Sequence, residues 1–305
     1  MLIRSLALVV GFALCCGALT AGVSHGAVPR CYGAASRDPL RPCENPALRL
    51  RVIPSPTRAL LVPNAPCWQL PADDLLRPCW FGAARAQAQA EVALIGDSHA
   101  MAWRAALAAV ARRLGWHATS ITQSQCAFSR VVTPQPKPQR DACRRFNQQL
   151  IAWFGRHPEI TTVFVVADNV RRPGPRTRAR GFRQAWKALP HTVRKIIVIR
   201  DNPRAELSTP DCIQRAIRAR VPAGPACALK RSTALRPDPA ITAARRMHSI
   251  RVRPIDLSDF FCDPASCYPV IGGALVFKDS NHLTREYAST LGRYVLRATR
   301  LSDTP

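Results

Sequence analysis

Lysine is nearly missing from this chain: five residues (137, 187, 195, 230 and 278) against 39 arginines in 305. Acidic residues are also few, with Asp+Glu at 19 against Lys+Arg at 44, for a formal charge of +25. So lopsided an arginine usage follows a GC-rich coding bias as readily as a polyanion partner. Aromatics make up 7% and do not interleave with the basic runs, and no nucleic-acid signature is present, so nucleic-acid binding is excluded as the function. Only one long apolar run occurs, which excludes a polytopic membrane protein. No fixed period runs through the chain, which excludes collagen, coiled coil and solenoid. Close C-x₂₋₄-C pairs are missing apart from the isolated Cys262…Cys267 spacing, so no metal is expected from the cysteines.

The apolar run is 5–23, uncharged, preceded by Arg4 and followed by small residues, the pattern of a secretory signal peptide or an N-terminal anchor. An even set of ten cysteines follows: Cys31, Cys43, Cys67, Cys79, Cys126, Cys143, Cys212, Cys227, Cys262 and Cys267. Behind an export signal, an even cysteine count predicts a disulfide framework and an oxidising, periplasmic or extracellular location. The stretches 31–43 and 67–79 are a repeat, each with Cys at both ends, an aromatic second and a shared Asp, Leu, Arg and Pro. Two loops each closed on itself is the simplest reading, and sequential pairing then extends to 126–143, 212–227 and 262–267.

Three regions are expected: 1–26 as signal or anchor, 27–90 as a Cys/Pro-rich disulfide-pinned extension, and 91–305 as an α/β domain. In the last, short apolar strand candidates at 91–97, 117–122, 160–168, 193–201 and 250–257 alternate with helix-period segments at 99–114, 141–156, 181–189, 211–220, 239–248 and 283–299. That alternation predicts a parallel sheet covered on both faces, a three-layer α/β/α sandwich.

Two short motifs carry chemistry. Gly96-Asp97-Ser98-His99 lies between an apolar strand and a helix. A serine there sits at the carboxyl edge of a parallel sheet, with its own amide among the free N–H groups of a helix start, where an oxyanion is stabilised. Asp279-Ser280-Asn281-His282 precedes the last helix. An Asp three residues before a His in a turn can hold Nδ1 and leave Nε2 free to take a proton from a serine.

Together with LIGDSHA (94–100), the Cys126…Cys143 interval and KDSNHLT (278–284), these motifs make 91–299 resemble the SGNH (GDSL-type) hydrolase family. The resemblance is to the SGNH domain attached to acyltransferase-3 membrane proteins that O-acetylate bacterial envelope glycans. It implies a flavodoxin-like fold, Ser98 as nucleophile, His282 as general base and Asp279 as its orienter. Many family members carry a Gly in the second conserved block, which here reads Thr122-Gln123-Ser124-Gln125-Cys126, and an Asn in the third, a place Asn169 can take. The oxyanion donors expected are therefore the Ser98 amide and Asn169. No membrane acyltransferase segment is present, so any such partner is a separate protein.

Asp97-Ser98-His99 also reads as the D-x-H of a metallophosphoesterase, but the further GD, GNH and G-H-x-H that such sites need are lacking. No cofactor is expected. The run 171–183 holds Arg171, Arg172, Arg176, Arg178, Arg180 and Arg183. Read as a loop leaving the Ser98 edge of the sheet, it places Arg171, Arg172 and Arg176 as contacts for an anionic substrate. The function expected is an exported serine-dependent O-acyltransferase or acetylesterase acting on envelope or secreted polysaccharide. The alternative is a non-catalytic glycan-binding or scaffold subunit with the same fold.

Overall fold

A computed structural model describes residues 28–66, 75–132, 134–169 and 174–301. A six-stranded sheet organises them. Its strands are β1 (Cys79–Gly82), β2 (Ala90–Gly96), β3 (Trp116–Thr122), β4 (Ile160–Val166), β5 (Lys195–Ile199) and β7 (Val252–Ile255), in the order β1-β3-β2-β4-β5-β7. All neighbours are parallel except β1, which pairs antiparallel with β3. Two short antiparallel ladders lie outside it, β6 (Leu229–Lys230) with β8 (Ser266–Cys267) and β9 (Val270–Ile271) with β10 (Ala274–Leu275).

Strand side chains alternate between two cores, as the two-residue period of a strand requires. Leu94, Phe164, Val166, Ile197 and Ile255 enter one core with α2 (Ser98–Leu114) and α9 (Arg285–Leu301). Ala93, Ile95, Val163, Val165, Ile196 and Val198 enter the other with α3 (Lys137–Gly155), α4 (Pro175–Lys187) and α8 (Pro239–Arg245). Burial on both faces is why β4 and β5 read as continuous apolar runs rather than as alternating ones. The remaining helices, α1 (Pro56–Leu61), α5 (Thr209–Arg218), α6 (Ala223–Ala226) and α7 (Arg231–Ala234), are peripheral. Of these, α1, α5 and α6 contribute to a small third cluster that includes Ile213, Cys227 and Leu275. The three-layer sandwich with a mostly parallel sheet is thus the observed fold.

Two corrections concern elements. From Pro175 on, the arginine-rich run is a helix and not a loop: α4 begins there, the fixed φ of proline suiting a first helical turn, and takes in Arg176, Arg178, Arg180 and Arg183. β1 was not expected, and it extends the sheet beyond β3. The four disulfides 31–43, 126–143, 212–227 and 262–267 are formed as sequential pairing predicts. Cys79 is also disulfide-bonded, while Cys67 lies outside the described residues, as does the apolar run 5–23. Among the described residues no helix is long and apolar enough to cross a membrane.

The segment 28–66 clasps the last helix and its approach. The Ala34 amide donates to Thr290 Oγ1 (3.0 Å), Gly33 to the Gly272 carbonyl (3.1 Å), and Asp38 takes two hydrogen bonds from Arg297 (2.8 and 2.9 Å).

Candidate active site

The chain order reverses at β2, which has β3 on one side and β4 on the other. Such a switch point leaves a crevice at the carboxyl edge of the sheet, and Ser98 follows β2 directly into it. Gly96 makes that turn possible. Its φ is +144°, and a Cβ there would lie 2.0 Å from the Val166 carbonyl oxygen. Asp97 then caps α2, its Oδ1 accepting from the His99 amide (2.9 Å) while its Oδ2 accepts from the Asp168 amide (2.8 Å). One buried carboxylate therefore starts the serine's helix and pins the end of β4. Burial pushes the Asp97 carboxyl up, with the charge of His99 acting against it.

Helix α9 brings the histidine. It packs along α2, and Gly292 permits a close approach: a Cβ there would meet the Ala106 carbonyl oxygen at 2.7 Å and Ala109 Cβ at 2.8 Å. Ser98 opens one helix and His282 shortly precedes the other, so aligning the two helices brings the motifs together. The intervening turn is closed by Lys278 N donating to the His282 carbonyl (2.9 Å).

The result is a continuous hydrogen-bonded chain. Ser98 Oγ lies 2.8 Å from His282 Nε2, and His282 Nδ1 lies 2.8 Å from Asp279 Oδ2. Asp279 Oδ1 accepts from the amides of Asn281 (2.9 Å) and His282 (2.8 Å). Burial raises the Asp279 carboxyl, but the His282 contact and the two amides outweigh it and hold its pKa at about 2. A carboxylate so placed keeps the imidazole proton on Nδ1, leaving Nε2 as acceptor for the serine hydroxyl. Ser98 and His282 open on a cavity of about 650 Å³, whose walls include Ser124, Gln125, Gln135 and Arg178.

The Ser98 amide is in the first turn of α2, where no carbonyl a turn earlier can accept it. Asn169 is buried just beyond β4 and its Nδ2 has no protein partner, while its Oδ1 accepts from Arg204 (3.5 Å). A buried amide without an acceptor is a costly feature, and Asn169 is not among the residues that line the cavity. In the second block the Gln123 amide donates to the Gly96 carbonyl (3.1 Å). Gln125, on the cavity wall, adopts φ +61°, a backbone geometry that favours glycine.

Of the arginines expected near substrate, Arg171 and Arg172 lie outside the described residues, and Arg176 is exposed and absent from the cavity wall. Arg178 is the one on the wall, buried and donating to the Asp168 carbonyl. Placing 175–187 in a helix turns alternate arginines in different directions, which a loop reading could not show.

Sequence reasoning missed a buried polar cluster behind the serine. His99 is fully buried, with Nδ1 2.6 Å from Asp201 Oδ1 and Nε2 3.7 Å from Asp168 Oδ1. A signal was present: EVALIGD, VFVVAD and IIVIRD are apolar strands each ending in Asp, namely Asp97, Asp168 and Asp201. Parallel strands in register set such ends side by side. The ligand atoms of His99, Asp168 and Asp201 lie within 4.8 Å of one another, a spacing a metal ion can use. Here, though, Asp168 is paired with Arg204, and Asp201 accepts from His99 and from the amides of Asn169 (3.1 Å) and Asn202 (2.9 Å).

Comparison with known proteins bears on the fold and the family. The structure resembles that of a Salmonella ser. Paratyphi A lipopolysaccharide acetyltransferase periplasmic domain, with a TM-score of 0.55 and 15% identity over 69% of this chain and 85% of that one. No curated protein matches the chain. The family model for the SGNH domain (fused to AT3 domains) matches residues 66–297, most of the chain. The protein therefore belongs to the SGNH domain family.

Proposed function

We propose that the protein is an exported serine enzyme that moves O-acetyl groups on envelope or secreted polysaccharide. The observation that carries this is the Ser98–His282–Asp279 chain, with both links at 2.8 Å, at the mouth of a cavity. Ser98 Oγ attacks the acyl carbonyl while its proton passes to His282 Nε2. The Ser98 amide and Asn169 Nδ2 receive the negative charge of the tetrahedral intermediate. As the ester C–O bond breaks, His282 returns the proton to the departing oxygen. The acyl-serine is then attacked by a sugar hydroxyl or by water, with His282 again taking and returning the proton.

Support for the acetyl group and the glycan comes from the family, an SGNH domain fused to acyltransferase-3 domains, and from the structural relative, a domain of a lipopolysaccharide acetyltransferase. Support for export comes from the disulfides and from the apolar run 5–23. The acetyl donor is in this reading supplied by a separate membrane acyltransferase or by an acetylated glycan. Buried Arg178 on the cavity wall suits an anionic sugar.

The test is intact-mass analysis after incubation with an acetyl ester or a sulfonyl fluoride. The wild type gains one adduct at Ser98 and Ser98→Ala gains none. Simultaneous assay of acetate release and acetyl-glycan separates esterase from transferase. A wild type that forms no adduct with either reagent would leave the glycan-binding subunit as the better reading.

A further inference from the structure

His99 is the residue after the nucleophile, yet the acyl-transfer steps do not use it. It is fully buried and lies beneath His282, with ring centroids 5.0 Å apart. Its Nε2 is 3.2 Å from Asn281 Nδ2, an amide whose nitrogen and oxygen exchange places by a half-turn of the side chain. Asn281 is the middle of the acid/base turn: its N–H holds Asp279 Oδ1, and its carbonyl accepts from Asn202 Nδ2 at 2.8 Å. Asn202 in turn donates its amide to Asp201 Oδ1 (2.9 Å), the oxygen that also meets His99 Nδ1. Asp201 Oδ2 takes the amide of Asn169 (3.1 Å). A single carboxylate at the end of β5 thus reaches both the oxyanion side and the acid/base side of the candidate site.

We infer that His99 is a positioning residue: held by Asp201 as an imidazolium, it donates from Nε2 to the Asn281 side-chain oxygen and so fixes the turn that aims His282 at Ser98. This rests on the Ser98 reading above. The surrounding charges fit it. Asp97, Asp168 and Asp201 face the ring from the ends of β2, β4 and β5, with Asp238 behind Asp201. Arg204 and Arg178 are bound to Asp168, and the other neighbours are His282 and Asp279. Burial pushes the imidazole down, but Asp201, Asp168 and Asp97 outweigh it and raise its pKa to about 9. Burial also pushes Asp201 up, so the two groups compete for one proton. Two backbone amides, those of Asn169 and Asn202, donate to the Asp201 carboxylate and favour its charged form, which leaves the proton to the imidazole. With both ring nitrogens protonated, the Asn281 amide is turned over so that its oxygen rather than Nδ2 meets His99, since amide orientation is set by such partners.

Two substitutions separate the halves of this link. His99→Gln puts its amide near the place of Nε2, and His99→Asn puts one near that of Nδ1. Both are checked for folding by thermal melting, then followed by the rate of sulfonyl-fluoride adduct formation at Ser98 between about pH 6 and 10. Expected is a wild-type rate that falls as His99 loses its proton near pH 9. His99→Asn should be slower by about tenfold or more, as for other residues that orient a reacting group's holder. His99→Gln should regain most of the rate and lose the alkaline fall. Folded Asn and Gln variants with the wild-type rate and pH profile would overturn the inference. Histidine-labelled NMR of the wild type decides it independently of variant folding and of Ser98 reactivity. A His99 ring titrating near 9 supports it, and one titrating at the ordinary value of about 6.5 overturns it. A wild type without any adduct sinks the Ser98 reading instead.

Discussion

The chain holds two His–Asp pairs of nearly equal geometry and opposite setting. His282 and Asp279 meet at 2.8 Å with side chains 23% and 36% exposed, whereas His99 and Asp201 meet at 2.6 Å with both fully buried. In the first, Nε2 faces the Ser98 hydroxyl at the cavity. In the second, every polar atom of the pair already has a protein partner, and surrounding carboxylates hold the proton in place. In the proposed reading the same two residue types thus make a proton shuttle at a cavity mouth and a fixed strut inside. Solvent access and the number of competing charges decide between them.

Removing one carboxylate at a time breaks the comparison most sharply. Asp279→Asn should leave the fold standing and lower acyl-enzyme formation by about 10⁴-fold, because an amide no longer holds the imidazole in the accepting tautomer. Asp201→Asn should instead act on stability, since it strands a buried imidazolium, at a cost of roughly 3–5 kcal/mol. Denaturant melts beside adduct rates check both, and a stable Asp201→Asn protein with a stability loss no larger than that of Asp279→Asn would contradict the contrast.

Opening the loop over the cavity is next in size. Cys126–Cys143 closes the segment that carries Ala127, Pro134 and Gln135 of the cavity wall, directly after Ser124 and Gln125. Replacing both cysteines by serine should cost about 3 kcal/mol by the entropy of a loop of this length. It should also slow adduct formation less than Asp279→Asn does, because the loop lines the site without holding the triad. Melting temperature and adduct rate report the two effects separately.

The smallest effect is the pH dependence of stability, and the two pairs should fail at opposite ends. The His99 pKa is raised from 6.5 to about 9, so its contribution is fully present below 6.5 and lost as pH rises through about 9. The Asp279 pKa is lowered from 3.8 to about 2, so its contribution is present above 3.8 and lost as pH falls through about 2. Melts across pH should show His99→Gln flattening only the alkaline side and Asp279→Asn only the acid side.

How far these features were legible differs by element. Strands β2, β4 and β5 were readable because double burial makes them plain apolar runs, and α2 because Asp97 caps it and Gly115, in the left-handed conformation at φ 63°, stops it. β1 was not, since four residues of mixed burial carry no period and their pairing is with a strand further along the chain. The start of α4 was obscured by Pro175, which ends helices inside but suits their first turn. Asp201 was legible as a strand end but not as a site residue, because its partner His99 is 102 positions away.

Local chemistry along the chain settled the alternation of strands and helices, the half-cystine spacing and the two motifs around Ser98 and His282. These depend on neighbours a few residues apart. Which groups meet depended on helix α2 lying along α9 and on three parallel strands ending level. Only that packing brings Ser98 to His282 across 184 positions and hides His99 from water. Burial and charge at a point are sums over everything that surrounds it. The distinction between a working histidine and a structural one therefore belongs to the tertiary structure alone.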